Sequence, residues 1–242
     1  MAVKPDRAMV LAAGFGLRMR PLTEKMPKPL VPVAGRALLD HVLDRLAAVG
    51  VTEAVVNVHY LPEQIIAHVA PRISPRVVIS REDGEVLGTG GGVVKALPLL
   101  GDAPFFHVNS DTLWIDAGRP NLARMADRFD PAAMDVLLLM APVAGSLGYS
   151  GRGDYSMAED GRLCARGSRQ EVPLVYAGAA ILSPAILASA PQGGFALTGI
   201  FARVEQEGRL YGIPLEGLWM HVGSPDAIAP AEAALAGRRE RH

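Results

Sequence analysis

What most constrains this 242-residue chain is the alternation of short apolar runs with longer helical patterns through roughly its first 145 residues. Residues 7–12 (RAMVLA), 53–60 (EAVVNVHY), 76–81 (RVVISR), 104–109 (PFFHVN) and 135–142 (DVLLLMAP) are short and rich in Val, Leu, Ile, Met and Phe. They read as buried strands. Between the first two, Leu38, Leu39, Val42, Leu43, Leu46 and Val49 share one helical face, and Gly50 stands where a C-cap belongs. Further helices are expected over 62–69, with Pro62 in the first turn, over 92–100 and over 122–129. Strands alternating with helices imply βαβ units and a mostly parallel open sheet with right-handed crossovers. Beyond about residue 145 the pattern loosens. Residues 148–162 read as hairpin or loop with a turn at Asp160-Gly161, 172–182 and 209–214 as strands, and 184–190, 198–207 and 225–236 as helices. No linker or internal repeat divides the chain, so residues 1–242 are expected to form one α/β domain with an irregular C-terminal portion.

Charge and composition exclude several classes. Lys and Arg number 24 against 25 Asp and Glu, a net charge of −1. This balance offers no sequence-independent hold on nucleic acid or an anionic membrane, and neither is expected as a partner. The single cysteine, Cys164, excludes an internal disulfide and a cysteine-built metal site. The opening MAVKPDRAM has no signal-peptide core, and no uncharged apolar run reaches about 18 residues, so a soluble cytoplasmic protein is expected. The 26 glycines exceed the usual share of about 7% and gather where apolar runs end, at 12–16 (AAGFG), 87–92 (LGTGGG) and 149–154 (YSGRGD).

Gly14-Phe15-Gly16 follows the first strand, where a dinucleotide-binding fold places its phosphate turn, but the third glycine of that fingerprint is replaced by Met19. No helix follows at once either. Pro21, Pro27, Pro29 and Pro32 stiffen a long segment that carries Arg18, Arg20, Lys25 and Lys28 against one acid, Glu24. Such a loop reads as a polyphosphate site, with backbone N–H groups exposed by glycine and cations to neutralise charge. The alternative is a surface loop with solvated charges.

Residues 11–35 (LAAGFGLRMRPLTEKMPKPLVPVAG) closely resemble the signature of the sugar-1-phosphate nucleotidylyltransferases. The resemblance continues through 87–111 (LGTGGGVVKALPLLGDAPFFHVNSD), 150–155 (SGRGDY) and 218–224 (LWMHVGS), so it covers nearly the whole chain. It implies a Rossmann-like three-layer αβα sandwich with a mostly parallel mixed central sheet, the glycosyltransferase-A-like nucleotidyltransferase fold. A nucleotide-binding part would occupy about 1–145 and a sugar-binding part about 146–242. In that family a sugar 1-phosphate attacks the α-phosphate of an NTP, giving an NDP-sugar and pyrophosphate. The resemblance is strongest to members that use UTP and N-acetylmuramate 1-phosphate in cell-wall peptidoglycan recycling. Members that use GTP and mannose 1-phosphate are the alternative. Because the nucleophile is an already ionised phosphate oxygen, positioning and fixed cations suffice and no activated Ser, Cys or His is required.

The resemblance assigns Arg18 to the β- and γ-phosphates with backbone groups of Ala12, Ala13, Gly14, Gly16 and Leu17, and Lys28 to the reacting phosphates. Gly88 would lie against the nucleotide, the glycines after it making room for the base and ribose, though the cluster also fits a simple helix-entry turn. Asp83 or Glu85 is the expected base-reading side chain. Asp111 is the implied Mg²⁺ (or Mn²⁺) ligand, against the plainer reading of a turn former or helix cap. Asn109, Asp154 and Gly178 are the implied sugar contacts. Arg20 and Lys25 read as solvated charges.

One position departs from the family. Where a W-V-D-V-G-T-like segment normally supplies a second metal carboxylate, this chain has His221, within Trp219-Met220-His221-Val222-Gly223-Ser224. Imidazole suits transition metals better than Mg²⁺. Three readings stay open: Asp111, phosphate oxygens and water hold Mg²⁺ alone; His221 ligates a softer ion such as Mn²⁺ or Co²⁺; or the protein is a catalytically weak nucleotide-sugar binder.

Overall fold

The computed structural model describes residues 4–239, so both ends of the expected 1–242 domain, 1–3 and 240–242, lie outside the described residues. The first apolar run forms β1 (Arg7–Leu11), with Ala8, Met9 and Val10 wholly buried. The proline-rich segment is not a plain loop: it folds into single 3₁₀ turns at Leu17–Met19, Leu22–Glu24 and Lys28–Leu30, followed by a two-strand hairpin of β2 (Pro32–Val33) and β3 (Arg36–Ala37). Then come α1 (Leu38–Ala48), β4 (Glu53–Val58), α2 (Pro62–Val69), β5 (Arg76–Arg81), α3 (Gly88–Leu100), β6 (Phe105–Asn109), β7 (Thr112–Asp116), α4 (Asn121–Arg128) and β8 (Val136–Pro142). The second half supplies β9 (Tyr155–Met157), β10 (Leu163–Ala165), β11 (Leu174–Leu182), α5 (Thr198–Gln206), β12 (Leu210–Pro214), β13 (Gly217–His221) and α6 (Ile228–Arg239).

The central sheet runs β12-β8-β11-β6-β1-β4-β5. β6, β1, β4 and β5 are parallel, as are β8 and β12, and β11 joins the two groups antiparallel to both β6 and β8. Alternate residues of each central strand face opposite layers. Ala8, Val10, Ala54 and Val56 pack under α1, α2 and α4, whereas Met9 and Val55 pack under α3 and α5. Burial of each such Val or Met contributes about 1.5–3 kcal/mol, which explains why the middles of these runs are mainly apolar rather than strictly alternating. The architecture is the mixed αβα sandwich that the resemblance implied.

Further elements differ from the sequence reading. The helix expected at 92–100 begins four residues earlier, at Gly88. Residues 184–190 hold only a 3₁₀ turn, Pro184–Leu187, because Pro191 follows closely and cannot continue a helix. A separate antiparallel pair, β7 with β13, sets Trp114 opposite Trp219 and encloses a third apolar cluster with α6. Its paired tryptophans are 105 residues apart in sequence, so no local pattern announces it.

Candidate active site

Leu11 and Asn109 pair at the C-terminal ends of β1 and β6. The chain leaves β1 toward β4 on one side and returns to its other side as β6, so the crevice beyond these ends is the switch point where open α/β sheets take ligands. A cavity of about 260 Å³ opens there. Ala12, Ala13, Gly14 and Gly16 wall it from the first turn, and Gly88 from the start of α3. Lys28, Asn109 and Asp111 complete the sequence-expected part of the lining.

Lys28 Nζ donates to Asp111 Oδ2 at 2.7 Å. Their side chains are 12% and 26% exposed, so the pair is shielded enough to interact more strongly than a surface ion pair. Gly16 makes room for Lys28: it adopts φ +64°, and a Cβ there would lie 2.9 Å from the Lys28 Cβ. The segment between them is braced. Thr23 Oγ1 donates to the Gly16 carbonyl at 2.8 Å, the Tyr60 hydroxyl to the Thr23 carbonyl at 2.9 Å, and Gln64 Nε2 to the Lys25 carbonyl at 3.1 Å. Leu17 and Arg18 are exposed and outside the cavity lining, as are Arg20 and Lys25. His221 ends β13. Burial holds its imidazole below the usual histidine range; Asp111 opposes that shift, and the Lys28 and Arg18 charges reinforce it.

A second cavity of about 430 Å³ shares Thr89 and Asn109 with the first. Asp154 lines it, with Oδ2 accepting from the Tyr176 backbone N–H at 2.9 Å. Gly178 is set behind this wall, at φ +82° within the register shift of β11, and a Cβ there would stand 3.1 Å from Asn109 Nδ2. Tyr155 and Tyr176 also line the cavity. Burial pushes the Tyr155 hydroxyl up to about 12 and raises Tyr176 further, so both remain O–H groups at pH 7.

Residues 7–149 match the family model described as nucleotidyl transferase. The chain belongs to the nucleotidyl transferase family. It is 47% identical to the N-acetylmuramate alpha-1-phosphate uridylyltransferase of Caulobacter vibrioides, over 98% of this chain and 99% of the relative. The Neisseria meningitidis protein of the same name is 33% identical, over 96% and 98%. A mannose-1-phosphate guanyltransferase from Aspergillus fumigatus is 32% identical over 90% of this chain but only 61% of its own length. In fold the chain resembles UDP-glucose pyrophosphorylase complexed with UDP-glucose, at a TM-score of 0.77 and 18% identity, over 97% and 99% of the two chains.

Two groups of this nucleotidyl transferase's cavity escaped the sequence reading. Of the acidic residues after β5, the one that lines the first cavity is Glu82, 3% exposed; Asp83 and Glu85 do not line it. Asp83 is 82% exposed beside Arg81, because the chain alternates sides as β5 ends. Asn57 Nδ2 donates to Glu82 Oε1 at 2.6 Å, Leu87 N–H to Oε2 at 3.0 Å, and Ala12 N–H to Asn57 Oδ1 at 2.7 Å. Through Asn57, Glu82 thus ties the turn after β1 to the start of α3. The glycine cluster serves this packing as well: a Cβ on Gly92 would meet Glu82 Oε1 at 2.7 Å, and one on Gly90 the Phe195 ring at 2.2 Å. Only Gly88 and Thr89 of the cluster line the cavity.

The donor set fits a hard divalent cation. Among the described residues no group of three or more His, Cys, Asp or Glu could hold a metal ion. Asp111 nevertheless offers a carboxylate to the first cavity, and Mg²⁺ is commonly held by one or two carboxylates plus substrate phosphates.

His107, on the wall of the second cavity, is 2% exposed, lies 3.2 Å from the Tyr176 hydroxyl through Nδ1, and has no partner at Nε2 among the described residues. Burial pushes its pKa down to about 4 from 6.5. Between those values the unfolded chain binds a proton that the folded chain excludes. This contribution is therefore present above pH 6.5 and lost as pH falls toward 4, at a cost of about 3 kcal/mol. Urea unfolding across this range should show a shallower pH dependence for His107→Gln than for the wild type. Identical slopes would assign the dependence to other groups.

Proposed function

We propose that the protein transfers the uridylyl group of UTP to N-acetylmuramate 1-phosphate, releasing pyrophosphate. The carrying observation is the Lys28–Asp111 pair beside Asn109, a residue that lines both cavities. The near full-length likeness to two N-acetylmuramate alpha-1-phosphate uridylyltransferases supports the substrate choice over GTP with mannose 1-phosphate.

The nucleotide takes the first cavity and the sugar the second, so residues up to about 145 form the nucleotide-binding part of one domain and those from about 146 the sugar-binding part. Backbone N–H groups around Ala12, Ala13, Gly14, Gly16 and Leu17 receive the triphosphate, with Gly88 against the nucleoside and Arg18 swinging onto the outer phosphates. Asn109 and Asp154 hold sugar hydroxyls, and Gly178 backs Asn109. An unprotonated oxygen of the sugar phosphate attacks the α-phosphorus; the bond to the bridging α–β oxygen breaks, and its electron pair leaves with pyrophosphate. No proton need move. Lys28 neutralises the two converging phosphates, which is the dominant barrier between polyanions. Asp111 together with triphosphate oxygens would hold Mg²⁺ (or Mn²⁺), leaving His221 outside the ligand set; when bound, the ion supplies charge stabilisation for the departing pyrophosphate. A cytoplasmic enzyme with no nucleic-acid or membrane partner fits this reading, given the balanced net charge of −1. Among the described residues no helix is long and apolar enough to cross a membrane.

Pyrophosphate release from the four NTPs, each paired with N-acetylmuramate, N-acetylglucosamine, glucose and mannose 1-phosphates, tests the assignment. UTP with N-acetylmuramate 1-phosphate should give the highest kcat/KM. A preference for GTP with mannose 1-phosphate would replace the proposed substrates and leave the reaction class standing.

A further inference from the structure

We infer that Arg166 recognises a carboxylate on the sugar, so that the second cavity selects acidic sugar 1-phosphates over neutral ones; this rests on the sugar-binding role proposed above for that cavity. Arg166 is the only Lys or Arg among the described residues that line it. The residue follows β10 directly and is half-buried. Its backbone N–H donates to the Asp154 carbonyl at 2.7 Å, and its Nε donates to the Gly153 carbonyl at 3.1 Å. Nη1 reaches the Arg169 carbonyl at 3.4 Å. All of these partners are neutral carbonyls or backbone. Among the described residues no carboxylate lies within ion-pair distance of the guanidinium, and Nη2 has no hydrogen-bond partner.

A half-buried guanidinium anchored on one edge, with a donor left over and no counter-charge, is arranged to receive an anion. The other charged group of the cavity, Asp154, already accepts the Tyr176 N–H through Oδ2 and would repel a carboxylate rather than supply one. The sugar's 1-phosphate does not need Arg166 either, because the phosphate crevice is walled by Lys28 and Asp111 in the other cavity, which Arg166 does not line. The anion left for Arg166 is one carried elsewhere on the sugar. The lactyl ether of N-acetylmuramate carries such a carboxylate, and N-acetylglucosamine, the same sugar without the lactyl group, does not.

The test compares wild type with Arg166→Gln on three substrates: N-acetylmuramate 1-phosphate, its lactyl carboxamide, and N-acetylglucosamine 1-phosphate, each with UTP. The expected result is a loss of about 10- to 100-fold in kcat/KM for the acid and a change below about threefold for the two uncharged sugars, with Arg166→Lys intermediate on the acid. A displaced Gly153–Asp154 turn or partial misfolding would lower all three substrates alike. Equal losses would therefore overturn the inference while leaving the proposed function intact. A wild type that prefers another carboxylate-bearing sugar, such as glucuronate 1-phosphate, and loses that preference in Arg166→Gln would sustain the inference and remove N-acetylmuramate. A wild-type preference for neutral sugars would overturn the inference outright.

Discussion

Lys28→Ala is expected to lower kcat/KM for pyrophosphate release by about 10³-fold while shifting Tm by no more than a few degrees. The large kinetic effect follows from position. The Lys28 ammonium stands 2.7 Å from Asp111 at the switch point of the sheet, where the proposed reaction brings a triphosphate and a sugar phosphate together, and no other Lys or Arg lines that cavity among the described residues. Without it, two polyanions approach against their full repulsion. The small effect on stability follows from what alanine keeps. The Lys28 Cβ that packs on Gly16 remains, and Asp111, already 26% exposed, is free to hydrate once unpaired. Steady-state kinetics together with a thermal melt separate the two effects. A variant of near wild-type rate would remove Lys28 from the reacting phosphates, and a loss of activity accompanied by a large fall in Tm would mean that the pair is structural.

The alternating half of the fold was legible because a central parallel strand is buried on both faces and is therefore mostly apolar along its length, as β1, β4, β6 and β8 are. Lys28 and Asp111 were legible for a different reason: the proline-stiffened basic segment and the strand-ending carboxylate are local signatures. Their contact is not local, since it joins residues 83 apart. What stayed hidden depends on such non-local placement. Glu82 and Asp83 are chemically alike and adjacent, and only the turn at the end of β5 decides that the first is buried and the second exposed. The glycines of 88–92 read as space for a ligand, yet most of them meet Phe195, Gly193 and Glu82, groups that no sequence window places beside α3. The wall of the second cavity is assembled from β6, the β9–β10 hairpin, β11 and α5, and none of these contributes more than a few residues. That is why Arg166 carried no signal.

Asp111→Asn is expected to lower kcat by about 10²- to 10³-fold and to raise the Mg²⁺ concentration needed for half-maximal rate. Asparagine has the shape of aspartate and its carbonyl oxygen still accepts from Lys28 Nζ, so the change removes charge and leaves the local geometry standing. The effect therefore reports what the carboxylate's charge does, which a change to alanine would not isolate. His221→Asp is the informative companion. It places a carboxylate at a position close enough to feel the Asp111, Lys28 and Arg18 charges. If Asp111 and phosphate oxygens suffice for Mg²⁺, His221→Asp should leave the Mg²⁺-dependent rate within about threefold of wild type, because exposed coordination sites are already filled by substrate and water. A gain of tenfold or more at low Mg²⁺ would show instead that the imidazole limits metal binding. Asp111→Asn with unchanged Mg²⁺ dependence would remove the ion from this carboxylate altogether. Measured together across a Mg²⁺ and Mn²⁺ series, the two variants assign the cation to Asp111, to both positions, or to neither.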